Sequence, residues 1–167
     1  QGPFSQITTG MHHACALRTD GTVSCWGTNF LNQNTPPLGT FTEISSGNNH
    51  NCGITTTGSI TCWGQEINGE VSDVPLDANG ATRTDWEQVS AGSYFTCALD
   101  SSAAITCWGT NTSYQCDVPP GSYRQVTAGL GFACGLTTAD TAVCWGTNMA
   151  GVLGDGTSDG KKPESKP

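Results

Sequence analysis

Apolar and polar residues alternate along this chain in short runs that never settle into a helical period. The clearest example pairs Cys15-Ala16-Leu17-Arg18 with Val23-Ser24-Cys25-Trp26, two apolar and β-branched stretches flanking Thr19-Asp20-Gly21. This pattern predicts a β-hairpin. Setting Cys15 opposite Cys25 centres the hairpin on Asp20 and leaves a three-residue loop with Gly21 in the left-handed position. An aromatic-led run, Phe4-Ser5-Gln6-Ile7, precedes it and predicts one more short strand. No stretch of ten or more residues sustains a 3.6-residue apolar period, so no helix is expected.

Both runs recur. The Cys-to-Gly phrase of residues 15–27 returns from Cys52 to Gly64, Cys97 to Gly109 and Cys134 to Gly146. The aromatic opening returns at Phe41, Trp86 and Tyr123. The left-handed turn position is held by Gly58, Ala103 and Asp140 in the later repeats. Asp tolerates it and Ala does so poorly, which makes the third turn the least favourable.

The Cys-Trp-Gly triplets lie 37, 45 and 37 residues apart, so about eight residues are inserted within Leu76 to Asp85. Each triplet is followed by an Asn-, Gln- and Pro-rich segment such as Thr28-Asn29-Phe30-Leu31-Asn32-Gln33, read as a loop leading to a short outer strand. Three to four strands per repeat, each repeat too small to bury both faces alone, predict an all-β propeller-type array. The repeats fall at about 4–40, 41–85, 86–122 and 123–160, making one domain over 1–160 with a flexible basic tail at 161–167.

The cysteines sharpen this picture. Directly opposed cysteines on antiparallel strands sit near the lower limit of disulfide reach. The expected bridges are Cys15 to Cys25, Cys52 to Cys62, Cys97 to Cys107 and Cys134 to Cys144. Each closes a short loop and contributes on the order of 2 to 3 kcal/mol on the chain-entropy model. A zinc site is disfavoured, because its ligands come in close pairs and no two cysteines here are that near in sequence. Cys116, the ninth cysteine, has no partner in the scheme and is expected to be unpaired or bonded to another chain. Four bridges point to an oxidising compartment, so the expectation is a mature secreted or cell-surface chain without its leader, its Gln1 open to cyclisation.

Charge narrows the partners. Residues 1–160 carry 13 acids against Arg18, Arg83 and Arg124, a net of −10, and Lys161, Lys162 and Lys166 lie in the last seven residues. Such a surface repels phosphate backbones, which argues against nucleic acid. No apolar run is long enough to span a membrane, so membrane insertion is not expected.

The string Gly10 to Asn29, read as G-x-x-H-x-C-A-L-x-x-D-G-x-V-x-C-W-G-x-N, resembles the repeat of the regulator of chromosome condensation family in a cysteine-bearing, extracellular version. Gly47 to Gly64 keeps His50 in the same place, while Tyr94-Phe95 and Gly131-Phe132 replace the His region later. Gly151 to Thr157 is similar to that family's G-x-L-G-D-G-T segment. The resemblance covers essentially the whole chain and implies a propeller. It implies a binding surface without naming the partner, since members include a nucleotide-exchange factor, a plant photoreceptor and a bacterial β-lactamase inhibitor. Family rings are closed propellers of about seven blades. Four repeats therefore leave three arrangements open: a small ring, an arc completed by another copy, or a piece of a longer propeller.

Candidate chemistry is sparse. His12, His13 and His50 are the only histidines, and two stand at or beside the family's structural His position. No Ser nucleophile elbow, H-E-x-x-H or phosphate-cradling loop occurs, so no catalytic residue and no cofactor is assigned. Asp155 and Asp159 are weak calcium candidates that fall short of a calcium loop's ligand count. Asn111-Thr112-Ser113 is an N-glycosylation acceptor. Trp26, Trp63, Trp108 and Trp145 share one place in the repeat and are expected to pack between blades.

The resulting expectation is a non-enzymatic extracellular module that binds proteins or copies of itself through its loops, Leu76 to Asp85 above all. One alternative is a lectin holding glycans with exposed aromatics such as Phe30 and Tyr114. Another is a proteinaceous enzyme inhibitor.

Overall fold

The computed structural model describes residues 2–158, and its elements are twelve strands. The first blade comprises β1 (Phe4–Thr9), β2 (His13–Arg18) and β3 (Val23–Gly27), the second β4 (Phe41–Ser46), β5 (His50–Thr55) and β6 (Ile60–Gly64). The third comprises β7 (Trp86–Ala91), β8 (Phe95–Asp100) and β9 (Ile105–Gly109), the fourth β10 (Tyr123–Ala128), β11 (Phe132–Thr137) and β12 (Ala142–Gly146). Every blade is an antiparallel meander of three strands in chain order. Gln1 and the tail 161–167 lie outside the described residues.

The hairpins have the register that their cysteines imply. Cys15 faces Cys25, Leu17 faces Val23, and the Arg18 N–H donates to the Thr22 carbonyl at 2.8 Å around a three-residue loop. Gly21 and Gly58 have φ of 85° and 82°, and Ala103 and Asp140 stand at 66° and 63° in the same place. The unfavourable Ala103 is offset by Asp100, whose Oδ1 accepts the Ser102 and Ala104 N–H groups at 2.9 and 3.1 Å. Four disulfides join the opposed pairs, Cys15–Cys25, Cys52–Cys62, Cys97–Cys107 and Cys134–Cys144, each with Cα atoms 4.0 Å apart.

Stacking builds the core. The Cys15–Cys25 bridge, Leu17 and Val23 of the first blade pack on Phe41, Ile44 and Trp63 of the second. The equivalent cluster between blades two and three gathers Ile54, Ile60, Trp86, Val89 and Trp108, and the next gathers Leu99, Ile105, Tyr123, Val126 and Trp145. Each blade thus offers a face of bridge and Leu or Ile forward and a face of aromatic, Ile or Val, and Trp backward, with neither face buried by its own blade. The buried aromatics are tilted pairs, Phe41 with Trp63 and Tyr123 with Trp145, at 5.9 and 6.2 Å between centroids.

Polar hooks tie the first strands together. The Gln6 side-chain amide donates to the Ile44 carbonyl and accepts its N–H, both at 2.9 Å. Gln88 accepts the Val126 N–H at 2.8 Å, and Thr8, Ser45 and Ser90 hydroxyls accept N–H groups two residues further along the next blade's strand. These contacts satisfy an inner strand that would otherwise expose unpaired backbone groups.

The four blades form an open arc. Phe41, Ile44 and Trp63 are 4%, 1% and 6% exposed, whereas their first-blade counterparts Phe4, Ile7 and Trp26 are 46%, 66% and 48% exposed. The expected blade-to-blade burial of the four tryptophans therefore holds for Trp63, Trp108 and Trp145, while Trp26 faces solvent at the arc's end.

The outer fourth strand expected after each Cys-Trp-Gly is not formed among the described residues, where the segments are turns. Asn29 and Asn111 explain why: their side-chain oxygens accept the N–H of Asn34 and Cys116 at 2.8 and 2.9 Å, folding the chain back before it can pair. Outside the named strands, Leu76 and Thr82 form an antiparallel bridge inside the inserted loop.

A candidate interaction surface at one end of the arc

Because each blade is a meander, the turn after its first strand and the loop after its third emerge at the same end. The backbone joins them there: Thr28, Gln65, Thr110 and Thr147 donate to the carbonyls of His12, Asn49, Tyr94 and Gly131 at 2.8 to 2.9 Å. At the centre, Gly47 must lack a side chain, since a Cβ would stand 2.2 Å from the Gly92 carbonyl oxygen of the next blade. The four central turns surround a shallow cavity of about 350 Å³, with Met11, Asn48, Ser93 and Leu130 on its rim. There the Asn48 amide donates to Ser93 Oγ at 2.6 Å.

Large apolar side chains stud this end. Met11, Tyr94 and Leu130 stand at or beside the central turns, all exposed. Phe30, Ile67 and Met149 occupy the fourth position after the repeat tryptophan, Thr112 replacing them in the third blade. Phe30 is 94% exposed and Leu130 75%. Buried polar residues brace the loops: Gln33, Glu70 and Gln115 of the first three blades accept N–H groups of their own loops, from Leu31, Asn68 and Ser113, at 2.7 to 2.8 Å, and in the fourth Asn148 Oδ1 accepts the Leu153 N–H at 3.1 Å. The main-chain oxygens of Gln33, Glu70 and Gln115 receive the indole N–H of Trp63, Trp108 and Trp145 from the next blade. Sequence reading missed these three, although their common spacing of seven residues after the tryptophan was available as a signal.

The other residues singled out in the sequence fall into place individually. Phe30 and Tyr114 stand on the first and third blades, both exposed. Asn111 sits on the same loop end, its amide nitrogen donating to Asp117 Oδ1 at 2.9 Å, which makes it a loop-former like Asn29. His13 and His50 are buried and reach across blade interfaces, His13 Nε2 lying 2.8 Å from Asn51 Oδ1. Asp155 accepts the N–H and hydroxyl of Thr157 at 2.8 Å each, which hold its carboxyl below the usual range; Asp159 lies outside the described residues. Among the described residues, no group of three or more His, Cys, Asp or Glu side chains could hold a metal ion. Among the described residues, no helix is long and apolar enough to cross a membrane.

The Leu76 to Asp85 loop is a braced excursion. Asp77 Oδ1 accepts the N–H groups of Asn79 and Ala81 at 2.8 Å, and those bonds pull its carboxyl down. Arg83 lies 3.9 Å over the Trp86 ring and pairs with Asp100 at 2.6 Å and Asp85 at 2.8 Å. Cys116 is a free thiol, half buried against the core between blades three and four, with Sγ 3.4 Å from the Thr110 carbonyl. Burial, helped by the Asp117 charge, pushes it up to about 12.

Stacked three-stranded blades joined by hooks, each with a loop end held by Gly at the centre, define a propeller-repeat protein that displays one surface. The pattern of the Regulator of chromosome condensation (RCC1) repeat matches residues 4–33, 41–70 and 86–115, and the chain belongs to that family. No curated protein matches it in sequence. Among solved structures, it is similar to the entire ectodomain of the receptor kinase CR4 of Physcomitrella patens, at 27% identity and a TM-score of 0.72, covering 87% of this chain and 41% of that one. The CRINKLY WD40 ectodomain of Arabidopsis thaliana ACR4 is 24% identical, with a TM-score of 0.68 over 87% of this chain and 51% of that one. Prp20p of Saccharomyces cerevisiae, described with its binding to Gsp1p and histones, shares the fold at 18% identity and a TM-score of 0.80, over 95% and 48%. The chain spans about half the length of these proteins or less.

Proposed function

We propose that this protein is an extracellular, non-enzymatic module that binds a protein partner through the loop end of its blades. The observation that carries this reading is the set of exposed apolar side chains, Met11, Phe30, Ile67, Leu130 and Met149, presented at one end from three of the four blades on braced loops. Such clustering marks protein contact surfaces, and braced loops lose little entropy on binding. Support for the extracellular setting comes from the four disulfides and from the ectodomains among the similar structures. The acidic surface suits a partner with basic groups around an apolar centre.

The test is affinity capture from extracellular fluid with the native chain and with a Phe30→Asp, Leu130→Asp variant, followed by calorimetry on the purified partner. The expected result is a protein bound by the native chain and lost by the variant, with a silent glycan array. Saturable glycan binding that the same two substitutions abolish would overturn it in favour of a lectin.

A further inference from the structure

We infer that Asn111 carries an N-linked glycan and that Tyr114, on the same turn, is the platform for its first sugar. Asn111-Thr112-Ser113 is the only triplet of the chain in which Ser or Thr stands two places after Asn. Such a triplet also arises by chance. Two departures of this loop from its three counterparts give it weight.

The first departure is in the backbone. Six residues after the repeat tryptophan, each loop places a residue in the left-handed conformation. Asn32, Gly69 and Gly151 fill that place at φ of 60°, 84° and 72°, and their residue types tolerate it. The third loop puts Tyr114 there at 62°, a bulky side chain for which the conformation is costly. Tyr114 is 51% exposed and stands outside the clusters that pack blade on blade, so burial in the core does not explain the choice. Strain held at an exposed aromatic points to a role for the ring. The Tyr114 N–H donates to the Asn111 carbonyl at 3.3 Å, so the strained aromatic and the acceptor are the two ends of one turn.

The second departure lies between them. Phe30, Ile67 and Met149 are exposed at the fourth position after the tryptophan, whereas the third loop has the small, polar and exposed Thr112. A glycan on Asn111 therefore covers no apolar side chain at its own root.

The Asn111 amide suits the bond. Its Oδ1 accepts the Cys116 N–H at 2.9 Å and one Nδ2 hydrogen goes to Asp117 Oδ1 at 2.9 Å, which leaves the second hydrogen for replacement. In the transfer, Nδ2 loses that proton and bonds the anomeric carbon of a lipid diphosphate-linked oligosaccharide. The bond from that carbon to the diphosphate breaks, and the leaving diphosphate takes the electron pair. The linked amide keeps the oxygen and the N–H that close the loop. Tyr114 then offers the first sugar an electron-rich ring face, which the polarised C–H bonds of a sugar favour.

The inference rests on the extracellular setting proposed above, because the glycan and the four bridges would be acquired on one secretory route. The 167-residue chain, secreted from a glycosylating eukaryotic cell, is digested with an N-glycosidase in heavy-oxygen water and mapped by mass spectrometry. The expected result is heavy oxygen at position 111, absent from Ser113→Ala, which keeps the Asn111 side chain and the N–H that Gln115 accepts. Ser113→Ala should lower Tm by about 2 °C or more in the native sequence. The shift should be less than half as large in the Tyr114→Gly background, which copies Gly69. A secreted chain with its bridges formed and Asn111 bare overturns the inference and leaves the extracellular reading standing. Retention in the cell with reduced cysteines overturns both. An occupied Asn111 whose loss costs the same in both backgrounds overturns the part given to Tyr114.

Discussion

His50 Nε2 lies 2.9 Å from the Thr96 hydroxyl across the interface between the second and third blades, with both side chains shut away from solvent. Burial, and secondarily the neighbouring His13, pushes the imidazole down to about 4. The ring is neutral in the fold, while in the unfolded chain it protonates near pH 6.5. Between those values the unfolded state binds more protons, so stability is fully present above about pH 6.5 and drains as the pH falls through about 4. The loss should be on the order of 3 kcal/mol. Denaturant titrations at stepped pH should show that slope, and His50→Phe with Thr96→Ala, which copies the Phe95 and Ala133 pair, should flatten it. An equal slope in the double variant would assign the acid sensitivity to other groups.

Glu43 stands where Gln6 and Gln88 provide the hook, and its Oε1 is 3.4 Å from the Val89 N–H against 2.9 and 2.8 Å for the two glutamines. Burial raises its carboxyl, with the Val89 N–H working in the opposite direction. Because the folded value lies above the unfolded one, acidification through that interval stabilises the native chain. Glu43→Gln supplies a donor for the Val89 carbonyl and should add about 0.5 to 1.5 kcal/mol at neutral pH. The gain should shrink as the pH approaches that of a free carboxyl. A gain independent of pH would show that ionisation at 43 is irrelevant to the hook.

Trp63 and Trp26 occupy the same place in consecutive repeats, the first buried and the second half open. Trp63→Ala should cost about 3 to 5 kcal/mol, because the cavity opens between two packed blades. Trp26→Ala should cost under about 1 kcal/mol, because that ring is half exposed and leaves no enclosed cavity. Equal costs would contradict the open arc.

Cys116 should react slowly. Its thiol is held protonated well above neutral pH by burial, so alkylation at pH 8 should proceed far more slowly in the native protein than in guanidinium. Timed mass spectrometry reads the ratio directly. Equal rates would show that the loop over Cys116 opens freely, and the thiol would then be available to another chain.

Much of the blade was legible because its determinants are local. The alternation around Cys15 and Cys25, the three-residue turn and the repeat period all act within about a dozen residues, and hairpin register follows from the turn. The third turn, with Ala103 at its left-handed position, looked weakest because its support comes from the Asp100 carboxylate, whose role depends on backbone geometry that no residue type announces. The fourth strand was expected from composition, but Asn29 and Asn111 turn their segments back with side-chain bonds.

Sequence alone determined that there would be repeats, hairpins and bridges, since each is set by neighbours in the chain. Tertiary structure decided which copies of a repeated residue are buried. Phe4 and Phe41 read identically, yet one lies open and the other is enclosed by Leu17 and the Cys15–Cys25 bridge of the preceding blade. The difference is position in the stack, and a stacking interface exists only where two blades meet. The same cause separates Gln125 from Gln6 and gathers Met11, Phe30 and Leu130 at one end, because direction and partner are properties of the assembled arc.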